Sequence, residues 1–260
     1  MKKNILITND DGFDAPGIRA IAKVLSEYFN IYIVAPHKER SACSSSMTIG
    51  NSIIVYKHKD CEPFLKECYS ISGTPVDCVK LALDKLINVP ISFVVSGINR
   101  GINTGIDIHY SGTVGAALEA YMMGFRAIAF SVDVDNGEPD YNKTAKLCMI
   151  PFKHIMDLPE KKYLFNVNIP SNTTNSQPSI KYTRLNWFGY EDNYHLQNVS
   201  DDEKMIYTVK GKRVRIENAP DSDYITIKNG DISITPLKMD LTHYDHIEKF
   251  SGYSISQLEE

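Results

Sequence analysis

No apolar run in this 260-residue chain is long enough to cross a bilayer, and the first of them, Ile5-Leu6-Ile7, is cut off at once by Thr8-Asn9-Asp10-Asp11, too early for a signal peptide. Basic charge is not in excess: 28 Lys and Arg stand against 32 Asp and Glu, for a formal charge of -4. That excludes a general nucleic-acid or anionic-membrane surface, which needs a dense Lys/Arg face, so neither a DNA or RNA duplex nor a membrane is expected as a partner. The five cysteines are odd in number and lack CxxC spacing, which predicts neither a disulfide framework nor a zinc site and fits a cytoplasmic protein. Also missing are the GxxxxGK[ST] loop, the GxGxxG turn, the GxSxG elbow and the HExxH helix, which removes several nucleotide-binding and hydrolytic classes. There are no internal repeats or extended low-complexity tracts.

What is present is a rhythm. Short apolar runs at Asn4 to Thr8, Asn30 to Ala35, Ser92 to Ser96, Ala127 to Val132 and Tyr163 to Ile169 alternate with helix-length segments. Pro16 to Tyr28 carries Ile18, Ile21, Ala22 and Leu25 at helical spacing, and Val114 to Met123 is small and apolar enough to lie close on a sheet. The pattern predicts an α/β fold: a Rossmann-like, mostly parallel sheet with helices on both faces and its crevice at the carboxyl ends of the strands. The pattern breaks near Pro170, which divides a core of residues 1–170 from a C-terminal extension of 171–260. In the extension, Met205 to Val209 and Arg213 to Glu217 read as a β-hairpin turning at Lys210-Gly211-Lys212. Its apolar residues are too few for an independent core, so it is expected to pack on the core or on another subunit. Asp223 to Lys228 reads as a short helix, followed by a strand from Asp231 to Thr235.

The chemistry gathers where strands end. Asn9-Asp10-Asp11-Gly12 follows the first strand directly, and adjacent carboxylates repel unless a cation lies beside them. Oxygen ligands favour Mg²⁺, Mn²⁺ or Ca²⁺ over zinc. An isolated Asp-Asp-Gly is more often an Asx turn or a cap. The balance shifts because the second strand opens into the Ser41 to Thr48 loop and the third into Ser96-Gly-Ile-Asn99-Arg-Gly-Ile-Asn103, so three oxygen-rich loops should meet at one edge. Ser111-Gly112-Thr113 opens the small-residue helix, and its free N–H groups and hydroxyls suit a phosphate, although a plain N-cap explains Ser111 equally. The similar Ser72-Gly73-Thr74-Pro75 reads as a cap at Thr74. His109 is more readily a packing residue than a catalytic one, and Trp187 either stacks on a base or belongs to a core or interface.

Taken in order, ILITNDDGFDAPGI (Ile5 to Ile18), VAP before Ser41, SGTPVDCVKLAL (Ser72 to Leu83), SGINRGINTGIDIHYSGTVGAALEA (Ser96 to Ala120), AIAFS (Ala127 to Ser131), NVNIP (Asn166 to Pro170) and SITPL (Ser233 to Leu237) resemble the SurE survival protein family over nearly the whole chain. The resemblance implies a metal-dependent nucleoside monophosphate phosphatase of the 5′-nucleotidase type, with 3′-monophosphates and short polyphosphate as further candidate substrates. It implies one divalent cation per subunit, Mg²⁺ or Mn²⁺ with Ca²⁺ as a substitute in crystals, ligated by Asp10, Asp11, Ser41 and Asn99. Of these, Asp10, Asp11 and Asn99 are expected to be catalytic, while Ser111, Gly112 and Thr113 hold the substrate phosphate. It further implies a homodimer or tetramer in which the extension is exchanged or packed between subunits. Ala120 departs from the family's usual glycine, and Asp223-Tyr-Ile-Thr-Ile is a loose version of its usual segment. Two other readings share the same residues: a nucleotide sensor without turnover, and a serine acyl hydrolase using Ser41 or Ser111.

Overall fold

The computed structural model describes residues 2–160, 162–171, 178–199 and 205–251. In chain order its elements are β1 (Asn4–Thr8), α1 (Pro16–Ser26), β2 (Asn30–Pro36), β3 (Val55–His58), β4 (Leu65–Ile71), α2 (Pro75–Leu81), β5 (Phe93–Arg100), α3 (Gly112–Met122), β6 (Ala127–Val132), α4 (Tyr141–Met156), β7 (Leu164–Ile169), β8 (Ile180–Tyr182), β9 (Gly189–Val199), β10 (Met205–Val214), α5 (Asp223–Lys228), β11 (Ile232–Pro236) and α6 (Tyr244–Phe250). A π-helical turn, Ala82–Leu86, extends α2, and a 3-10 turn, Gly105–His109, precedes α3.

The main sheet runs β3-β4-β2-β1-β5-β6-β7-β11-β8. Its centre is parallel; β3 and β11 pair antiparallel with β4 and β7. Because successive residues of a strand face opposite sides, Ile5 and Ile7 join a core with Ile18, Ile21 and Leu25 of α1 and Cys148 and Phe152 of α4, while Leu6 joins a second core with Cys78 and Val79 of α2 and Val114, Ala116 and Ala117 of α3. Helices therefore cover both faces, which is why the central strands read as continuous apolar runs. From β1 the chain winds one way to β2 and then crosses back to β5 on the other side of β1. The switch point of the sheet thus lies between β1 and β5, the position where open α/β sheets form their crevice.

The structure departs from the sequence-based picture in three places. The turn predicted at Lys210-Gly211-Lys212 is absent: β10 runs unbroken from Met205 to Val214 and pairs antiparallel with β9, with Lys210 opposite Asn193, Gly211 opposite Asp192 and Lys212 opposite Glu191. The lysines are the polar face of an alternating strand, and a Cβ on Gly211 would lie 2.5 Å from Asp192 Oδ1, so the glycine makes room for a cross-strand side chain. Second, β3 and β4 carry no apolar-run signature, because they lie at the sheet's margin and hold polar partners such as Lys57 Nζ on Glu67 Oε2 at 2.7 Å. Third, Cys61 and Cys68, with Cα atoms 6.2 Å apart, form a disulfide, leaving Cys43, Cys78 and Cys148 free. The pairing arises because His58 lies opposite Cys68 in the β3–β4 ladder, a register that spacing along the chain does not reveal.

Candidate functional site

β1 ends at Thr8, and the next four residues close a turn through Asn9: its Nδ2 donates to Gly12 O at 2.8 Å and its Oδ1 accepts from Gly12 N at 3.3 Å. Asn9 therefore takes the Asx role, and both aspartates are left to other work. Gly12 has φ of 106°, and a Cβ there would stand 3.2 Å from the backbone of Lys38 and Glu39.

Asp10 is 3% exposed. Its Oδ1 accepts from the Thr113 hydroxyl, and the backbone of Thr113 and Gly112 at the start of α3 also favours its charged form. Burial outweighs these bonds and pushes its pKa up. Asp11 accepts from the backbone N of Arg100 through Oδ2 at 3.0 Å. Burial first, then the neighbouring charges of Asp10 and Glu39, raise its pKa to about 6. Two half- to fully buried carboxylates side by side are an electrostatic debt that only a proton or a cation relieves.

The other loops are tied to this pair. Arg40 N donates to Asp10 O at 2.7 Å, which brings the Ser41 loop alongside; Ser41 itself is exposed and its hydroxyl donates to Glu39 Oε1 at 2.6 Å. Asn99, at the end of β5, is half-buried, and its Nδ2 donates to Gly101 O at 2.7 Å, which turns Oδ1 away from that carbonyl. Ser44 reaches across to the loop before α3, N to Tyr110 O at 2.9 Å and Oγ to His109 O at 2.6 Å. That approach is possible only because α3 is glycine-bearing: a Cβ on Gly112 would meet Cys43 Sγ at 2.8 Å and Asp10 Oδ2 at 2.9 Å, and one on Gly115 would meet Ser44 O at 2.6 Å. The loop's far end is held by buried Asp77, which accepts from Thr48 N and Oγ1 and completes a capping box with Thr74, as predicted for that cap.

At the start of α3 both readings of Ser111 meet. Its Oγ accepts from Val114 N at 3.1 Å, a conventional N-cap, and the Thr113 hydroxyl is taken up by Asp10. Among the described residues neither Ser41 nor Ser111 has a histidine side-chain partner; the Ser–His side-chain contacts lie elsewhere, at Ser70 between His37 and His58, and Ser70 is 4% exposed. His109 lines a largely aliphatic cavity of about 610 Å³ that shares Ser44 and Ser45 with this region but includes none of Asp10, Asp11, Ser41 and Asn99. Trp187 is 65% exposed and belongs to no core.

Sequence reasoning missed the groups that hold the β5–α3 loop. Asn168 brackets the backbone of Asn103, its Oδ1 accepting from Asn103 N at 2.9 Å and its Nδ2 donating to Asn103 O at 3.0 Å, while Asn166 Nδ2 donates to the same carbonyl at 2.7 Å and Asn103 Nδ2 reaches Ser131 Oγ at 2.8 Å. Asp223, fully buried, accepts from Gly105 N and Asn186 N, each at 2.8 Å. A buried loop needs such partners for its backbone. Two asparagines two residues apart in an apolar strand were the available signal, since they share a face and cannot be buried unpaired.

The fold and its loops define a doubly wound α/β protein whose acidic, polar loop cluster sits at the sheet's switch point beside a helix N-terminus. The description "Survival protein SurE" matches residues 5–192. A Clostridium botulinum protein named 5′-nucleotidase SurE is 37% identical over 257 residues, covering 95% of this chain and 97% of its own length, and one of the same name from Clostridium beijerinckii is 39% identical over 248 residues, covering 93% and 95%. The crystal structure of the SurE protein from Aquifex aeolicus superposes with a TM-score of 0.77 at 28% identity, over 99% of this chain and 100% of that one. This chain belongs to the SurE family.

Proposed function

We propose that this chain is a metal-dependent 5′-nucleotidase, releasing phosphate from nucleoside 5′-monophosphates, with Asp10, Asp11, Ser41 and Asn99 holding one Mg²⁺ or Mn²⁺. The observation that carries the reading is the pair of desolvated carboxylates at the switch point, with Arg40 N donating to the Asp10 carbonyl and Arg100 N to the Asp11 carboxylate, which ties the two residues to the loops that bear Ser41 and Asn99. Among the described residues no three His, Cys, Asp or Glu side chains cluster as a metal site, so a cation at Asp10 and Asp11 is completed by neutral oxygens, as hard cations accept. The bound cation supplies neutralisation of phosphoryl charge and polarisation of the phosphorus centre. The chain's own part is to orient the phosphate at the Ser111–Thr113 turn, to keep Asp10 in place through Thr113, and to let Asp10 take a proton from the attacking water. Acid-quench trapping of a labelled phosphoenzyme would instead identify an aspartyl nucleophile.

The names of the relatives support the substrate class; extension to 3′-monophosphates and short polyphosphate is proposed with it. A panel of nucleoside 5′- and 3′-monophosphates, polyphosphate and an aryl phosphate, each with Mg²⁺, Mn²⁺ or EDTA, tests the reading. Metal-requiring phosphate release, fastest from 5′-monophosphates, is the expected result; tight nucleotide binding with no release identifies a sensor instead. No helix of the described residues is long and apolar enough to cross a membrane. A cytoplasmic location is proposed separately, and with it Cys61 and Cys68 are expected to be reduced in the cell, since a reducing compartment does not keep such a disulfide.

The raised carboxyl pKa values carry a stability consequence for the metal-free protein. A carboxyl whose folded pKa lies above its unfolded value binds more protons when folded, so its contribution falls as pH rises through that interval. For Asp11 the interval runs from the ordinary 3.8 to about 6, and Asp10 is shifted the same way. Metal-free protein is therefore expected to lose this contribution between about pH 4 and pH 6, and Mn²⁺ to raise Tm more at about pH 7 than at about pH 5. Equal metal-induced shifts at the two pH values would count against a cation at these carboxylates.

The same proposal includes a homo-oligomer assembled through the β9–β10 ribbon. Tyr194 lies opposite Val209 and Leu196 opposite Tyr207, and their exposures of 71%, 56%, 51% and 51% make one apolar ribbon face open to solvent. Replacing Tyr194, Leu196, Tyr207 and Val209 together by threonine is expected to shift the light-scattering mass from dimer or tetramer to a smaller species. An unaltered mass, or a monomeric parent, would contradict it.

A further inference from the structure

The 3-10 turn before α3 is held from a distance in a way that the nucleotidase reading does not by itself require. Asp107, in the middle of Gly105–His109, uses its backbone carbonyl to accept from Tyr110 N at 3.0 Å and Ser111 N at 3.2 Å, so the peptide leading into the Ser111–Thr113 turn hangs on this residue. Its carboxylate is gripped by the base of the β9–β10 ribbon. Tyr190 Oη donates to Oδ1 at 2.6 Å and Arg213 Nη2 donates to Oδ2 at 2.5 Å, from 83 and 106 residues along the chain.

The grip is built as a unit. Tyr190 and Arg213 are direct cross-strand partners, and Arg213 Nε donates to Tyr190 Oη at 3.2 Å, so the three groups close a triangle. The guanidinium lies over the rings of Phe188 at 5.2 Å and Tyr224 at 5.4 Å, and Phe188 is fully buried. The charged side chains are mostly covered, with 25% exposure for Arg213 and 15% for Asp107. Covering an ion pair costs desolvation, and apolar side chains of the same volume would hold two elements together at least as well. What apolar side chains would lack is direction: a planar fork stacked against rings fixes where a carboxylate sits, and so where the carbonyl of the same residue points.

The rest of the segment is fixed by other means, Asn103 by Asn166 and Asn168, Gly105 by Asp223, and His109 and Tyr110 by Ser44. Asp107 is the position in it held by the ribbon. We propose that Arg213 and Tyr190 are positioning residues for phosphate binding, acting through Asp107 on the Ser111–Thr113 turn. The proposal rests on the nucleotidase reading, because it takes that turn to hold the substrate phosphate.

The test uses full-length protein with Mn²⁺ and compares Arg213→Met, Arg213→Lys and Tyr190→Phe with the parent for kcat, KM for a nucleoside 5′-monophosphate, the inhibition constant of inorganic phosphate, and Mn²⁺ affinity by direct titration. For Arg213→Met, KM and the phosphate constant should rise together by about tenfold or more, the scale of a lost charged hydrogen bond, while kcat changes far less and Mn²⁺ affinity stays within about twofold. Arg213→Lys should recover only part of the loss, since a point charge does not reproduce the fork. Tyr190→Phe, which removes one hydroxyl, should show a smaller rise in the same two constants and decides the matter if Arg213→Met does not fold. Unchanged KM and phosphate constants in the folded variants, with only Tm lowered, would make the triangle a structural brace and overturn the proposal. A parent protein that releases no phosphate overturns this proposal together with the nucleotidase reading; an active parent with insensitive variants overturns this one alone.

Discussion

Asp11→Asn is expected to lower phosphate release from a nucleoside 5′-monophosphate by about 100- to 1000-fold, because the charge stabilisation lost with a cation is worth several kcal/mol in the transition state. The substitution keeps the shape, and the amide oxygen can still accept from Arg100 N, as the Asp11 carboxylate now does at 3.0 Å. What disappears is one of two neighbouring negative charges. Mn²⁺ affinity should therefore fall in parallel with turnover. Circular dichroism should be unchanged, and metal-free Tm near neutral pH should rise slightly, since Asp11 is held charged there in surroundings that raise its pKa to about 6. Wild-type turnover and an unaltered Mn²⁺ titration would reduce Asp-Asp-Gly to a turn motif.

Gly112→Ala should be nearly as damaging, though it touches no charge. A Cβ there would stand 2.9 Å from both Cβ and Oδ2 of Asp10 and 2.8 Å from Cys43 Sγ. Cys43 can swing aside, but Asp10 is 3% exposed and fastened to Thr113 at the first turn of α3, so the carboxylate and the helix start have to part. A displacement near 1 Å in a catalytic constellation costs on the order of 100-fold in rate. The expected outcome is a folded protein with that loss in kcat/KM and weakened Mn²⁺ binding; activity within about threefold of the parent would show that the helix start is not pressed against Asp10 as described. Gly115→Ala makes a useful contrast, because its Cβ would meet Ser44 O at 2.6 Å, on the loop side, and not Asp10.

Asp11 and Gly112 both stand out in the amino-acid sequence alone. The central strands were legible because burial on two faces leaves an unbroken apolar run, and the candidate site could be placed because Asp10, Asp11, Ser41 and Asn99 all lie at or just beyond the ends of such runs. The cap at Thr74 and the short helix Asp223–Lys228 were legible for local reasons, polar side chains at the start of the first and Gly230, with φ of 81°, just past the end of the second. The illegible parts depend on contacts distant in sequence. Lys210-Gly211-Lys212 has turn composition, and only the partner strand β9 shows it to be mid-strand. The Cys61–Cys68 bond needs the β3–β4 register. Thr113 on Asp10 and Asn168 on Asn103 join residues 103 and 65 positions apart, and no local pattern encodes either contact. Ser111 was legible as both cap and phosphate ligand, and its bond to Val114 N realises the first without deciding the second.

Asp10 and Asp11 at the β1–β5 switch point are proposed to hold a cation on which phosphate release depends. The most direct test follows both quantities on one sample: metal-stripped protein titrated with Mn²⁺, with bound Mn²⁺ read by electron paramagnetic resonance and phosphate release from a nucleoside 5′-monophosphate read at each point, for the parent and for Asp11→Asn. A cation at this pair predicts about one tight Mn²⁺ per chain in the parent, phosphate release rising in proportion to its occupancy, and loss of both in the variant. Full turnover in the metal-stripped parent, or tight Mn²⁺ binding that survives Asp11→Asn with activity intact, would contradict it.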